Sequence, residues 1–195
     1  MKAYKLPKLS IKEYLQQEVD NDTRYEYHDG KIYASAGGSI NHGLLCGNIY
    51  SELRNGLKHK GSNCKPVTSE LKLYIRSQNS FVYPDAMVVC GEIEESAYEV
   101  NALTNPILIV EVLSKSTSDY DRGDKFYLYR QIKTLREYVL IEQDKAVVEV
   151  YYRDSVSGLW RISRFIGMTA TVELQSINLS IKMADLYFDI KNLEE

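Results

Sequence analysis

Two carboxylates stand out by the company they keep. Asp85 follows Pro84 in "YPDAMVVC", at the entry to a β-prone run, and Glu111 lies inside "LTNPILIVEVL", an almost unbroken apolar stretch. A Pro-Asp pair before a strand is a common turn, and a glutamate in such a run can occupy a strand end that reaches solvent. If the two strands pair, however, both side chains approach one point. Like charges about 4 Å apart repel by roughly 4 kcal/mol at an effective dielectric near 20, and burial adds to that cost. A shared proton would relieve it. A divalent cation is the commoner solution, and hard oxygen ligands favour magnesium (Mg2+) or manganese (Mn2+) over zinc. With a lysine in reach, the set has the parts that phosphodiester hydrolysis needs: a metal centre and a cation to stabilise charge developing on the phosphate.

Other residues offer such chemistry with a structural alternative beside each. Lys115 comes four residues after Glu111, just past the strand, and Lys125 lies in "DRGDK" beside Asp121 and Asp124, where a lysine is ordinarily solvated. Arg122 either binds phosphate or pairs with a neighbouring carboxylate. His42, behind Asn41 at the start of a long helix, can face an anion, a proton acceptor or a metal, or can simply neighbour a cap. Glu26 adds a carboxylate to the site or belongs to an exposed, alternating strand face. Glu70 is a weaker candidate of the same kind. Basic residues gather at Lys58, His59, Lys60 and Lys65, and again from Lys115 to Arg136, and either group can follow a phosphate backbone. Interspersed acids weaken both. The sixteen tyrosines can stack on bases, although tyrosine more often packs in strands.

The elements that must position these groups are partly legible. Ser10 followed by Glu13 forms a capping box, so a short helix begins there. Asp29-Gly30 between "YEYH" and "KIYA" signals a hairpin. In "NHGLLCGNIYSELRNGLKHKG", Leu45, Ile49, Leu53 and Leu57 recur every fourth residue, which predicts a helix with one apolar face, ended by Gly61. From Cys64 to Cys90 alternation takes over, with Leu71, Leu73 and Ile75 on one face. "LTNPILIVEVL" and "REYVLIE" read as strands covered on both sides, joined by a helix over "DRGDKFYLYRQIK" capped by Asp121. "AVVEVYYR", "LWRISRFI" and "ATVEL" read as further strands, and "KMADLYF" as a last short helix. The order implies an α/β core with a mixed central sheet flanked by helices, plus an N-terminal hairpin and C-terminal strands.

Composition bounds the rest. A chain of 195 residues with 26% charged residues suits one globular domain over 1–195. Its net charge of -3 advertises no nucleic-acid partner, so any DNA contact must use local positive charge. Cys46, Cys64 and Cys90 are odd in number and widely spaced, with no CxxC pair, which points to reduced thiols and a cytoplasmic setting. No stretch approaches the roughly 18 apolar residues of a membrane span.

"YPDAMVVC", "LTNPILIVEVLSKSTSDYDRGDKFYLYR" and "LREYVLIEQD", with "YEYHDGKIY" and "NHG" upstream, resemble the Uma-type family of restriction endonucleases, a branch of the PD-(D/E)XK nuclease superfamily. The likeness runs from about Ser10 to Tyr187. It implies a restriction endonuclease-like fold and a magnesium-dependent endonuclease acting on DNA, with Asp85 and Glu111 holding metal and the backbone carbonyl of Val112 as a further ligand. The superfamily lysine is replaced by Leu113, and the resemblance moves its role to Lys125. Leu113 also leaves room for a second reading, a nuclease-fold module that binds DNA or protein without cleaving. A homodimer is the expected assembly for cutting two strands, with an exposed strand edge in the C-terminal half as the contact.

Overall fold

A computed structural model describes residues 8–21, 23–34, 38–99, 101–114 and 117–194. The N-terminal elements are α1 (Ile11–Asn21), the hairpin β1 (Tyr25–His28) and β2 (Lys31–Ala34), and α2 (Ile40–His59). Then come β3 (Cys64–Thr68), β4 (Lys72–Ile75), β5 (Ser80–Val82), β6 (Ala86–Cys90), β7 (Ala102–Leu103) and β8 (Leu108–Leu113). A helical segment follows: α3 (Ser118–Tyr120), a π turn (Asp121–Lys125) and α4 (Phe126–Tyr129). The chain continues through β9 (Glu137–Glu142), β10 (Val147–Arg153), β11 (Trp160–Ile166), β12 (Thr171–Leu174), β13 (Leu179–Lys182) and α5 (Met183–Leu186).

The central sheet has six strands in the order β11-β10-β9-β8-β6-β3. β8 and β9 run parallel and the remaining neighbours antiparallel, so the sheet is mixed, as expected. The parallel pair needs a crossover, and the segment from Ser118 to Tyr129 lies within it. One face of the sheet packs Val88, Val110 and Val139 against Leu45, Ile49, Leu53 and Leu57 of α2 and against β12, β13 and α5. The other face packs Met87, Ile109 and Leu140 against Tyr129, Tyr138 and strands β4 and β5 of a second sheet, ordered β2-β1-β5-β4-β7. Tyr14, Tyr27, Tyr74 and Phe81 make a smaller aromatic cluster that seats α1 on this second sheet. No helix among the described residues is long and apolar enough to cross a membrane.

Local signals account for much of this. Ser10 N donates to Glu13 Oε2 at 2.7 Å and Glu13 N to Ser10 Oγ at 3.2 Å, the two halves of a capping box. Asp29 (φ 42°) and Gly30 (φ 96°) give the two left-handed positions of a tight hairpin turn. A side chain at Gly30 would also meet Lys8, with Cβ atoms 2.5 Å apart. The apolar stride of α2 is buried as its spacing predicts, and the left-handed Gly61 (φ 61°) follows its end.

Two expectations need correction, and two strands were not read. Asp121 does not cap a helix: the helical segment starts at Ser118, behind Thr117, and Asp121 is buried inside a π turn. The short strands β5 and β13 lie outside the runs read as strands. Cys64 and Cys90 face each other in the β3–β6 register and are joined as a disulfide, leaving Cys46 as the free thiol. Sequence spacing cannot reveal such a pairing, because only strand register brings the two together.

Leu53 is fully buried between α2 and the sheet. Leu53→Ala is expected to lower stability by about 2–5 kcal/mol, read as a fall in the urea midpoint at an unchanged m-value.

Candidate active site

The β6–β8 ladder decides whether the two carboxylates meet. Its last pair is Ala86 with Val110, so Asp85 and Glu111 are next in register. Side chains alternate along a strand, and Met87, Val89, Ile109 and Leu113 all point to the sheet face that carries Tyr129 and Tyr138. By the same alternation Asp85 and Glu111 share that face, and both line one cleft of about 860 Å³. The cleft is walled by β1 and β2, the start of α2, the C-terminal end of β8 and the π turn.

Each acid is held by identifiable donors. Val112 N donates to Asp85 Oδ2 at 2.7 Å, and His42 Nε2 lies 3.4 Å from the same oxygen. His42 is placed by Ser39, whose Oγ accepts from the His42 backbone N–H at 3.1 Å and caps α2. Glu111 is 3% exposed, and its Oε1 accepts from Lys125 Nζ at 3.0 Å and from Tyr129 Oη at 2.6 Å. Both bonds fall on Oε1.

Lys125 is 8% exposed, not solvated. Besides Glu111, its Nζ lies 3.4 Å from Glu26 Oε1 and 3.4 Å from Asp121 Oδ1. Glu26 is held in turn by His28, whose Nε2 lies 3.3 Å from Glu26 Oε2 and 3.2 Å from Tyr120 Oη. Asp121 and Lys125 open and close the π turn and Tyr129 lies four residues on in α4, all on the same inner face, and such π turns recur at functional sites.

Of the sequence candidates, Asp85, Glu111, Val112, Lys125, Glu26 and His42 all line the cleft. Lys115 lies outside the described residues. Arg122 does not line the cleft; it is committed to Glu142 and Glu149 across β9 and β10. Glu70 pairs with Arg24 at the surface. Sequence reasoning missed the parts played by Asp121, His28, Tyr120 and Tyr129. The spacing Asp121, Lys125, Tyr129, each four residues apart, was available as a signal that all three share a helix face.

The cleft is strongly acidic. Glu26, Asp85, Glu111, Asp121 and Asp124 line it, with Lys125 as the one lysine or arginine among the described lining residues. Burial opposes the charge on Lys125, yet Glu111, Glu26 and Asp121 outweigh it and hold the ammonium well above the usual lysine range. One cation faces three carboxylates here, all of them largely buried. Burial pushes the Glu111 carboxyl up to about 8, against the pull of Lys125 and with further repulsion from Asp85 and Asp121. Burial raises Asp121 as well. Glu26, although buried, is held below its usual range by His28 and Lys125. The Asp85 carboxylate raises the His42 imidazole against the opposing effect of burial.

Fold and cleft together define a nuclease-like α/β protein of the restriction endonuclease-like type. A sequence profile described as "Uma2: Putative restriction endonuclease" matches residues 11–184, and the chain belongs to this family. Two relatives come from Synechocystis sp.. The uncharacterised protein slr1290 is 36% identical over 181 residues, covering 93% of this chain and 92% of its own length. The uncharacterised protein sll1609 is 34% identical over 171 residues, covering 88% and 95%. A crystal structure described as a putative nuclease belonging to DUF820 from Anabaena variabilis superposes with a TM-score of 0.73. It covers 92% of this chain and 97% of its own at 19% identity, a likeness of fold.

The raised Glu111 carboxyl makes stability depend on pH. In the folded chain it keeps its proton up to about pH 8, whereas an ordinary glutamate loses it near 4.5. The folded state therefore holds the extra proton between these values, and stability is full below the lower one and declines as pH rises through the higher. The slope is at most about 1.4 kcal/mol per pH unit. Urea unfolding from pH 5 to 8, without divalent ions, is expected to show this decline in wild type and a flatter profile in Glu111→Gln; equal slopes would contradict the assignment.

Proposed function

We propose that this protein is a metal-dependent endonuclease that hydrolyses phosphodiester bonds in DNA, using magnesium or manganese held by Asp85 and Glu111. The observation that carries this reading is the convergence of those two carboxylates, from neighbouring strands, on one sheet face beside the buried Lys125. The donor set fits such an ion: hard carboxylate oxygens on rigid strands, in a cleft whose negative charge exceeds what Lys125 balances. Until a cation enters, a phosphate would meet net repulsion there. The backbone carbonyl of Val112, at the cleft wall, is the further candidate ligand.

When bound, the ion supplies Lewis-acid polarisation of the phosphate and lowers the pKa of an attacking water. The chain's own residues do the rest. Val112 N–H and His42 fix Asp85, and Tyr129 fixes Glu111, so both acids are preorganised for a cation. Lys125 brings a permanent positive charge to stabilise the pentacovalent phosphate, and Glu26 and Asp121 hold its ammonium in place. The rival reading of a non-cleaving module drew its support from Leu113 at the motif lysine position. Lys125 Nζ, 3.0 Å from Glu111, supplies a cation by another route, which favours the catalytic reading.

DNA as substrate is supported by the cleft mouth. Tyr33 and Tyr127 line the cleft with half their surface exposed, and the Arg130 guanidinium lies 4.8 Å over the Tyr127 ring. These are groups suited to a base face and a phosphate. Pairing of two copies for double-strand cutting would use β11, one edge strand of the central sheet, where Ile162 and Ile166 are exposed.

Asp85→Ala and Glu111→Ala are each expected to abolish magnesium-dependent cleavage of plasmid DNA, and Lys125→Ala to lower turnover roughly 100- to 1000-fold with a smaller effect on metal affinity. Full activity in either carboxylate variant would refute the site. Because burial raises the Glu111 carboxyl to about 8, magnesium binding near neutral pH should also release a proton. Calorimetry near pH 7 in buffers of differing ionisation enthalpy is expected to show that release, with affinity rising toward pH 8.

A further inference from the structure

Cys46 has no part in the proposed chemistry, yet it does not simply pack in the core. It follows His42 by one turn of α2, and its Sγ lies 3.5 Å from His42 Nδ1. The other ring nitrogen of His42 lies 3.4 Å from Asp85 Oδ2. One donor atom each from His42, Cys46 and Asp85 fall within 4.8 Å of one another. Cys64 and Cys90 are bonded to each other, so Cys46 is the thiol available to a metal.

We infer that His42, Cys46 and Asp85 form a second cation site, selective for thiophilic divalent ions such as zinc, cobalt or cadmium. Thiolate, imidazole and carboxylate are the ligand types of tetrahedral zinc, with bonds of about 2.0–2.3 Å and ligand atoms roughly 3.3–3.8 Å apart. The present spacing closes to that range by small side-chain rotations. Magnesium has little affinity for sulfur, so the two classes of ion are sorted by their ligands. The thiolate and Asp85 together balance a double positive charge. His42 and Asp85 line the cleft, so the fourth ligand position opens toward it. Gly38 sits against the imidazole: a Cβ there would lie 2.7 Å from His42 Nδ1, which leaves the backbone close to the ring with no side chain to crowd it.

Asp85 is shared between this site and the proposed magnesium site. A zinc ion on His42 and Cys46 would draw Asp85 away from magnesium, so such ions should inhibit cleavage at low concentration. That consequence rests on the nuclease reading; the binding itself does not.

The test is cobalt titration of the full chain with its disulfide intact. We expect one equivalent to produce a near-ultraviolet thiolate-to-cobalt charge-transfer band with visible bands of a four-coordinate ion, and added zinc to bleach both. Cys46→Ser should lose the charge-transfer band, and Cys46→Ser and His42→Asn should each weaken cobalt binding by roughly 100-fold or more. In wild type, zinc but not magnesium should slow alkylation of Cys46 by iodoacetamide, a reading that does not depend on how the variants fold. Absence of the band, its persistence in Cys46→Ser, or unchanged alkylation would overturn the site. None of these readouts uses cleavage. A chain that fails to cut DNA still decides this proposal, and the magnesium and carboxylate-variant experiments decide the other.

Discussion

A single buried ammonium facing three carboxylates organises this cleft. Lys125 cannot lie at its depth without partners, and Glu111, Glu26 and Asp121 cannot converge without a cation among them. The cluster ties together three parts of the chain: β1 of the second sheet, β8 of the central sheet and the π turn between β8 and β9. It is nonetheless one cation short. Burial, with repulsion from Asp85 and Asp121, raises the Glu111 carboxyl, and on the proposed reading a divalent ion would take the place of its proton. Proton and ion are alternative answers to the same repulsion.

The fold serves that arrangement by fixing backbone before side chains. Asp85 and Glu111 meet because β6 and β8 are antiparallel neighbours with set register, and a shift of one residue would send one of them to the opposite face. α2, anchored along its whole apolar face, carries His42 to the other side of Asp85. The helical segment with its π turn then places Asp121 and Lys125 inward, on the face their four-residue spacing gives them. Rigid strands hold the acids, and the π turn supplies the cation.

Family and geometry reinforce each other here in different ways. Membership of the Uma2 family covers most of the chain, and the likeness to the Anabaena variabilis structure is one of fold. Neither says where a lysine absent from its usual place has gone. In the cleft, Lys125 Nζ lies beside Glu111, and Leu113 packs in the apolar cluster with Ile109 and Tyr138. An apolar residue at position 113 is compatible with the core on that face, and on the proposed reading the lysine charge comes from a different element.

The sequence by itself determined the elements whose signals are local. The stride of Leu45, Ile49, Leu53 and Leu57 defined α2; Asp29-Gly30 defined a hairpin; Ser10 and Glu13 defined a helix start; the apolar runs around Glu111 and Val139 defined strands covered on both faces. It also singled out Asp85 and Glu111, because a carboxylate bordering or interrupting an apolar strand is costly wherever that strand is buried. What it left undecided depended on contacts between residues far apart in the chain. Whether Asp121 capped a helix or entered the cleft, whether Lys125 was solvated or buried, and whether Cys64 met Cys90 or stayed reduced were settled only by register and packing. A lone residue type and its neighbours carry no information about which strand will lie alongside; the tertiary fold supplies it, by bringing opposite charges and facing sulfurs within a few ångströms.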